Sequence, residues 1–400
     1  MGQARRLSYD SRMLDPFDWL NDSLSDLDRR ALRRNLSMRS SPQRGDVIRF
    51  DSERLVNFGS NDYLGLAADP RITKAVRDAT REFGWGSGAS PLVTGRTELH
   101  AELERKLAEF EGTEAALLFP TGYAANLGTI TALVGKGDAI YSDELNHASI
   151  IDGCRLSGAA IHLYPHRDLV RLEQLLSESP SIRRRLIVTD SLFSMAGDLA
   201  PLEGLTELAA RHACMLMVDE AHATGVFGAR GRGVCEEAAV EHRVEIRVGT
   251  LSKALGSTGG FVAGSQRLID WLTNRARPYV FSTAAPAAVA AAGFAALEIV
   301  QREPSKRQYV LSLGQYLRHQ MRTIHVDYQS KFSQIVPVFL GEPKRALAVS
   351  AELRRRGFFV PCIRPPSVPE GQSLLRISLT CLHTEQQIND LVAALVEVVG

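Results

Sequence analysis

The spacing of apolar and polar residues predicts three regions in this chain. Over residues 1–58, apolar positions at helical spacing predict a helix over about 16–36, followed by a short β-hairpin. Over residues 59–290, short apolar runs alternate with helical patterns. This alternation is typical of a large, mostly parallel sheet that helices cover on both faces. Residues 59–290 are therefore predicted to form a large α/β domain.

Residues 291–400 carry a second and smaller α/β pattern. Two long helical patterns, over about 286–302 and 305–322, precede the strand-like runs QIVPVFL, FFVPCI and SLLRISL, with one helix between the first two runs and another at the end. The predicted boundary with the large domain falls inside the first of the long helices. We expect a small C-terminal α/β domain.

Composition excludes several classes of function. The 400 residues are 44% hydrophobic and 23% charged, which is typical of a soluble globular protein. The net charge of +1 gives no overall electrostatic field that would attract nucleic acid or an anionic membrane. The longest apolar run is shorter than the roughly 20 residues that span a bilayer, and the first twenty residues lack the apolar core of a signal peptide. The five cysteines are scattered without a C-x-x-C pair, which fits a reducing compartment. We expect a cytoplasmic protein that binds no nucleic acid, membrane or metal.

Two short motifs match known signatures without the context that those signatures need. The letters D-E-A-H at 219–222 mark an ATPase box, but the chain contains no phosphate loop of the type G-x-x-x-x-G-K-[ST]. The stretch GWGSGASPLVTG at 84–95 satisfies G-x-G-x-x-A, but it follows a helical pattern and not a strand. We therefore interpret 84–95 as a loop that lines a site.

Lys253 lies in a glycine-rich turn between two apolar runs, RVGT and GFVAG. The ordinary interpretation is a surface lysine in a hairpin turn. A lysine in a dry pocket has a lowered pKa and acts as a nucleophile, and the small neighbours Gly256, Gly259 and Gly260 would leave room for a flat ring. The turn by itself does not decide between the two.

Further polar residues follow predicted strands, at the end of an open parallel sheet where ligands bind. Gly122 and Tyr123 follow AALLF and begin a helix whose amides could hold a phosphate, although Tyr123 fits the core equally well. His147 follows AIYSD, where a loop histidine without a function is the usual case. Ser194 follows RLIVTDSLF. Each of these residues is a candidate for the same site.

Asp219 and His222 follow the strand CMLMV, one predicted strand before Lys253. Alone, they fit a structural capping pair. Together with Lys253 and the helix start at Gly122 they meet the needs of pyridoxal phosphate (PLP). A lysine forms an imine with the aldehyde, an acid keeps the pyridine nitrogen protonated, and a helix start holds the phosphate. The sequence therefore predicts PLP as the cofactor.

These residues lie in motifs that resemble the α-oxoamine synthases, a family of PLP-dependent acyltransferases with the aspartate aminotransferase fold (fold type I). The resemblance runs from about residue 57 to 382 and includes the segments NFGSNDYLGL, FPTGYAAN, SLFSMAGD, MVDEAHATGVFG, GTLSKALG and RPYVFST. A non-catalytic protein of the same fold is the alternative. Such a protein could lose Lys253, Asp219 or Arg376, and all three are present.

The resemblance implies a role for each cofactor contact. Lys253 would bind PLP and later move the α-proton of the substrate, Asp219 would pair with the pyridine nitrogen, and His147 would stack on the ring as the third catalytic residue. His222 would hydrogen-bond the phenolic oxygen of PLP. The further cofactor contacts implied are Gly122, Tyr123, Ser194 and Thr250, together with Ser282 and Thr283, which would reach the phosphate in a neighbouring subunit. A homodimer with shared sites is thus implied.

The resemblance also implies the substrate contacts. Arg376 would bind the carboxylate of the amino acid, and Asn61 and Ser367 would line the substrate side. An N-terminal arginine would meet the acyl substrate, for which Arg34 is the first choice and Arg33 the second. Without the resemblance, the ordinary interpretation of these arginines is the solvated face of a helix.

Within the family, IRPPSVP and GSGASPLVTG resemble the branch that condenses L-alanine with a pimeloyl thioester of coenzyme A or of an acyl carrier. TDSLFSM and RARPYVFS resemble the branch that acetylates glycine, which stays open as the alternative. Two departures weaken the substrate assignment. Ser252 stands where the family usually has glycine, and Ser191 and Leu192 follow Asp190 where Gly-Val is more frequent.

Overall fold

The computed structural model describes residues 15–50, 52–178, 182–322 and 333–399. Most of the segment on which the prediction of no signal peptide rests, residues 1–14, lies outside these ranges. Helix α1 (Trp19–Arg29) is shorter than predicted. It stops because Ala31 has a positive φ of 55° and because Arg364 donates to the carbonyls of Ala31 and Arg33, which a longer helix would use itself. The predicted hairpin is confirmed as β1 (Val47–Phe50) and β2 (Glu53–Asn57).

Within the described residues, the large region contains one seven-stranded sheet. Its strands are β3 (Ala115–Phe119), β4 (Ala139–Asp143), β5 (Ala160–Tyr164), β6 (Arg185–Asp190), β7 (Met215–Asp219), β8 (Ile246–Thr250) and β9 (Gly260–Gly264). The spatial order is β3-β9-β8-β7-β6-β4-β5, and all neighbours are parallel except β9, which is antiparallel to β3 and β8. The mostly parallel sheet that the sequence predicts is therefore confirmed.

Helices cover both faces of this sheet. They are α2 (Pro70–Phe83), α3 (Glu98–Glu111), α4 (Gly122–Leu133), α5 (Ala148–Ser157), α6 (Leu169–Glu178), α7 (Leu202–Arg211), α8 (Val234–Glu237), α9 (Gln266–Arg275), α10 (Arg277–Val280) and α11 (Ala287–Arg302). On β7, Leu216 and Val218 join the core with α3, α7 and α11, whereas Met217 joins the core with α4, α5 and α9. Both faces are apolar, which is why the strands are continuous apolar runs in the sequence.

The rest of the chain contains α12 (Pro304–Arg322), β10 (Ile335–Gly341), α13 (Pro343–Arg355), β11 (Phe358–Phe359), β12 (Cys362–Ile363), β13 (Ser373–Ser378) and α14 (Glu385–Val399). β10, β13 and β12 form an antiparallel sheet, whereas β11 pairs with β2. The run FFVPCI is thus two short strands in different sheets and not one strand. Pro361 lies between them and has no N–H with which to continue a ladder.

The predicted domain boundary, between residues 290 and 291, lies inside α11, which packs against α2 and α3 of the large region. The division of the chain at that residue stays a prediction. In the part of the chain that the structure describes, we find no helix of the length and apolarity needed to cross a membrane. In the same residues no three His, Cys, Asp or Glu side chains form a group that could hold a metal ion.

Two of the glycines after Lys253, Gly256 and Gly260, are required by close backbone packing, and the suggestion that these glycines leave room for a flat ring stays a prediction. Gly256 has φ +60°, and a Cβ there would lie 2.5 Å from the backbone of Leu66 and Ala67. A Cβ at Gly260 would lie 2.6 Å from Gly122 Cα. The lysine turn and the start of α4 can therefore approach only because these positions lack side chains.

We expect Gly256→Ala to lower the free energy of unfolding by about 2–4 kcal/mol, because the substitution adds both a strained φ and a backbone clash. Urea denaturation followed by circular dichroism measures this loss. The matched control is Gly86→Ala, where a Cβ meets nothing within 4 Å, so a change below about 0.5 kcal/mol is expected. Equal losses in the two variants would contradict this account of the turn.

Candidate active site

Three parallel strands, β6, β7 and β8, carry the predicted residues to one edge of the large sheet. Asp190 ends β6, Asp219 ends β7 opposite Asp190, and Lys253 lies in the turn after β8. β7 and β8 are adjacent in the sheet, with Asp219 paired to Val248. The expectation that Asp219 and Lys253 follow neighbouring strands is confirmed, and their approach to one ligand stays a prediction.

Lys253 has the electrostatics of a nucleophile. The surrounding protein desolvates its amine and lowers its pKa from 10.5 to about 8, an effect that Asp219 opposes and Arg376 reinforces. A lowered pKa leaves a useful fraction of the amine unprotonated near neutral pH. The turn therefore presents an amine that can attack a carbonyl.

Ser252, the residue for which the sequence offered no explanation, closes this turn. Its Oγ donates to the Gly259 carbonyl at 3.2 Å and accepts from the Gly259 N–H at 3.2 Å. Thr250 Oγ1 donates to the same carbonyl at 2.7 Å. The Ser252 hydroxyl thus holds the two sides of the turn together, a contact that glycine could not make.

Asp219 is buried, and its carboxylate is held by the protein on both oxygens. Oδ2 accepts from Asn126 Nδ2 at 2.6 Å and Oδ1 accepts from the Ala221 N–H at 2.7 Å. Asn126 also donates to Ser149 at 2.9 Å. Sequence reasoning missed Asn126, although an asparagine in an otherwise apolar stretch of α4 was a usable signal because a buried amide needs partners.

His147 caps α5 and is exposed at the same edge of the sheet. Its Nδ1 accepts from the Ser149 N–H at 3.2 Å and lies 2.8 Å from Ser149 Oγ. Its backbone N–H donates to Asp190 Oδ2 at 2.7 Å. Burial and the neighbouring Asp219 raise the pKa of Asp190 well above its ordinary range. Asp190 therefore positions His147 and is a residue whose role the sequence left unassigned.

His222 belongs to a buried network that also contains Tyr63, Arg376 and Asn61. Tyr63 Oη lies 2.7 Å from His222 Nδ1, and Arg376 Nη2 donates to Tyr63 Oη at 3.3 Å and to Asn61 Oδ1 at 3.0 Å. Burial raises the pKa of Tyr63 to about 12, and burial together with the charges of Lys253 and Arg376 holds the pKa of His222 well below its ordinary value. The Tyr63 hydroxyl also donates to Asn61 Oδ1 at 3.2 Å, so Tyr63 connects His222 to Asn61. Sequence reasoning missed Tyr63, which lies in the quoted NDYLG motif.

The start of α4 presents backbone amides beside Thr250. Thr121 accepts from the N–H groups of Ala124 and Ala125, at its Oγ1 and its carbonyl. By helix geometry the N–H groups of Gly122 and Tyr123 have no intrahelical partner. The ring of Tyr123 is 44% exposed and its hydroxyl donates to Asp152, so the core interpretation of this tyrosine is wrong.

A cavity of about 960 Å³ adjoins His147. Ser194, Met195, Phe339 and Ser367 are among the residues that line it. Arg34 donates to the carbonyl of Pro365, next to this wall, at 3.2 Å. Ser194 and Ser367 therefore line one cavity, and Arg34 contacts the residue that precedes Pro366 of its lining. Arg33 instead forms a 2.7 Å ion pair with Asp28 of α1.

Ser282 and Thr283 do not join this group within the chain. They line a separate, small cavity with Arg96, His100 and Tyr279. The expectation that Ser282 and Thr283 contact the cofactor of a second subunit stays a prediction.

The residues present fit PLP. The Asp219 carboxylate has lone pairs left for a protonated ring nitrogen after its two hydrogen bonds, and the Gly122 and Tyr123 amides with Thr250 suit a phosphate. Asn126 Oδ1 and Arg376 Nε are buried without a described hydrogen-bond partner, which leaves polar capacity in the site. The fold and the site together define a lysine-centred enzyme of the aspartate aminotransferase fold.

Comparison with known proteins gives the same result. Residues 53–395 match the family described as aminotransferase class I and II. An 8-amino-7-oxononanoate synthase from Anaeromyxobacter dehalogenans is 50% identical over 381 residues, 95% of each chain. The solved serine palmitoyltransferase from S. paucimobilis with a bound PLP–myriocin aldimine is 31% identical with TM-score 0.91, covering 96% of this chain and 98% of that one. The solved 8-amino-7-oxononanoate synthase from Francisella tularensis is 27% identical with TM-score 0.76, covering 86% and 98%.

The chain therefore belongs to the class I and II aminotransferase family. Within that family it is an α-oxoamine synthase, and the prediction of fold type I is confirmed.

The charge state of Lys253 is open to measurement in the cofactor-free protein. We expect its labelling by an amine-acylating reagent, read by peptide mass spectrometry, to rise with pH about a midpoint near the pKa of about 8. In urea, where the protein no longer desolvates the amine, the midpoint should return to roughly 10.4. A midpoint in the folded protein that equals the unfolded one would contradict a desolvated Lys253.

Proposed function

We propose that this chain is an 8-amino-7-oxononanoate synthase. It condenses L-alanine with pimeloyl-CoA, or with the pimeloyl thioester of an acyl carrier protein, and releases CO₂ and the thiol. The product is the aminoketone 8-amino-7-oxononanoate of biotin biosynthesis. The observation that carries this proposal is Lys253 with a lowered pKa one strand from Asp219, in a chain 50% identical to enzymes of that name.

Bound PLP supplies an aldehyde that condenses with amines and a pyridinium that withdraws electrons from the α-carbon of the amino acid. Asp219 would keep the ring nitrogen of PLP protonated. Asn126 and the Ala221 N–H hold its carboxylate in one orientation, so that it can stabilise the positive charge on that nitrogen. His147 would pack on the ring, and His222 would hydrogen-bond the phenolic oxygen of PLP. Thr250 and the α4 amides would hold the phosphate.

Lys253 would act twice, first by holding the cofactor and then by moving a proton. An amine with a pKa of about 8 accepts a proton from the α-carbon and returns it near neutral pH. The depressed pKa thus serves both steps. A surface lysine would stay protonated and could do neither.

Arg376 would bind the carboxylate of the amino acid. It is buried on β13, and one guanidinium nitrogen already holds Asn61 and Tyr63 while Nε has no described partner. A guanidinium fixed in this way presents its remaining donors in one orientation. Asn61 would then mark the amino-acid side of the site, and Ser367 and Arg34 the side of the acyl thioester, while Ser194 would contact the cofactor.

The proposal extends to assembly and location. Ser282 and Thr283 lie apart from Lys253 within one chain, which supports a homodimer in which they contact the partner's cofactor. All five cysteines are free thiols, which supports a reducing compartment such as the cytoplasm.

The alternative is an α-oxoamine synthase of another substrate, above all one that acylates glycine, because TDSLFSM and RARPYVFS resemble that branch. Absorbance titration of the PLP-loaded protein with L-alanine, glycine and L-serine separates the amino acids. Release of thiol from acyl-CoAs of increasing length then identifies the donor. We expect a spectral response to L-alanine and turnover with pimeloyl-CoA. Turnover with acetyl-CoA and glycine would favour the alternative, and Lys253→Ala is the control that should lose the cofactor band.

We expect Asp219→Asn to lower kcat by at least about 100-fold, with the KM for L-alanine changed by less than about threefold, because the ionised acid acts on the transition state and not on amino-acid binding. Steady-state kinetics with pimeloyl-CoA measure both quantities. Asp270→Asn, on the exposed face of α9, is the matched control and should leave kcat unchanged. A kcat for Asp219→Asn equal to that of the parent would refute the role of this carboxylate.

A further inference from the structure

His166 lies between two carboxylates beside the cavity and has no part in the mechanism above. It follows β5, and its Nδ1 is 3.0 Å from Asp143 Oδ1 while its Nε2 is 2.8 Å from Asp198 Oδ2. Ionised carboxylates only accept hydrogen bonds, so both ring nitrogens carry protons and the ring is an imidazolium. His166 is therefore a cationic bridge between two segments that are 55 residues apart in sequence.

The electrostatics agree with this bridge. Burial alone would lower the pKa of His166, but the hydrogen bonds and charges of Asp143 and Asp198 outweigh it and raise the pKa to about 9. Burial would likewise raise the pKa of Asp198, yet His166 and Arg167 hold it below its ordinary value. Besides these groups, Glu144 accepts from the His166 backbone N–H at 3.1 Å.

The two carboxylates that His166 joins lie on different kinds of structure, one on the large sheet and one on a loop. Asp143 is the last residue of β4, and it also accepts from the N–H groups of Leu145 and Arg167 at 2.9 and 2.8 Å. This end is part of the rigid sheet. Arg167, at φ +62°, completes the turn around the Asp143 carboxylate.

Asp198 instead belongs to the loop over residues 193–198, here named the cavity loop. Its carbonyl accepts from the Phe193 N–H at 3.0 Å, and the Gly197 N–H donates to the Phe193 carbonyl at 2.8 Å. The Phe193 ring meets the His166 ring edge-on, with centroids 4.4 Å apart. Ser194 and Met195 of this loop line the cavity of about 960 Å³, as does Ser367.

We propose that His166 is a positioning residue that, through Asp198 and Phe193, holds the cavity loop in the conformation that receives the acyl thioester. The cavity adjoins His147, so its loop wall determines how the thioester reaches the site. This proposal rests on the proposed function for the identity of the ligand. The amino-acid contacts, Arg376 and Asn61, lie on other elements and do not involve the bridge.

The first test needs no substrate. We expect His166→Gln to accelerate hydrogen exchange of the amides of residues 193–198 in the cofactor-free protein at least about tenfold. The neutral amide removes the cation between the two carboxylates and its oxygen cannot donate, so among the described residues Asp198 keeps only Arg167, which is exposed, as a cationic partner. The matched control is His162→Gln on β5, whose ring stacks on Tyr141 and does not line the cavity. It should leave exchange of the cavity loop unchanged.

The second test uses the holoenzyme. For His166→Gln we expect the KM for pimeloyl-CoA to rise roughly tenfold, while the dissociation constant of L-alanine, read from cofactor absorbance, changes less than about twofold. The bridge is intact below pH 6.5 and is lost as pH rises through about 9. The parent KM for the thioester should therefore rise above pH 9, and the variant should lack this rise.

Asp198→Asn removes the negative charge that His166 contacts on the cavity loop. This variant tests the same proposal if His166→Gln does not fold. Normal loop exchange together with an unchanged KM for the thioester, in whichever of these variants folds, would overturn the proposal. Accelerated loop exchange with no turnover of pimeloyl-CoA by the parent enzyme would overturn the proposed substrate and not the bridge. Equal losses in alanine and thioester binding would show a general structural role for His166 and would also overturn the proposal.

Discussion

The structure depends on one constraint, which is that the carboxylate of Asp219 is buried at the end of β7. A buried charge needs hydrogen bonds or an opposite charge, and Asp219 receives both. Asn126 and the Ala221 N–H donate to it, and Lys253 supplies a cation from the next strand. The two hydrogen bonds fix two other elements, α4 through Asn126 and the D-E-A-H turn through Ala221.

The same constraint determines the charge of Lys253. Two apolar sheet faces and their helices remove water from this edge, which lowers the pKa of the amine, while Asp219 opposes that effect and Arg376 reinforces it. The balance is a pKa of about 8 in place of 10.5. Neither burial nor charge alone explains this value, because the charge of Asp219 raises the pKa while burial and the charge of Arg376 lower it.

The small sheet contributes to the site as much as the large one. Arg376 comes from β13, and Gln334, just before β10, donates to the His222 carbonyl at 2.7 Å. Ser333 donates to the Gly197 carbonyl at 2.6 Å and so reaches the cavity loop. The Tyr63 phenol joins Arg376 to His222, so the amino-acid side and the cofactor side of the site share one hydrogen-bond network. His166 and Asp198 hold that loop from the opposite side, at the large sheet.

Sequence alone determined the architecture and the main chemical groups, because continuous apolar strands must be covered on both faces and polar residues that follow them meet at one edge. It thereby predicted Lys253 and Asp219 on neighbouring strands. It could not predict the pairing of side chains far apart in the chain, such as Asn126 with Asp219 or Tyr63 with Arg376, nor the division of FFVPCI between two sheets. Only the tertiary structure decided these contacts and the charge states that follow, because desolvation and hydrogen bonding depend on which surfaces meet after folding.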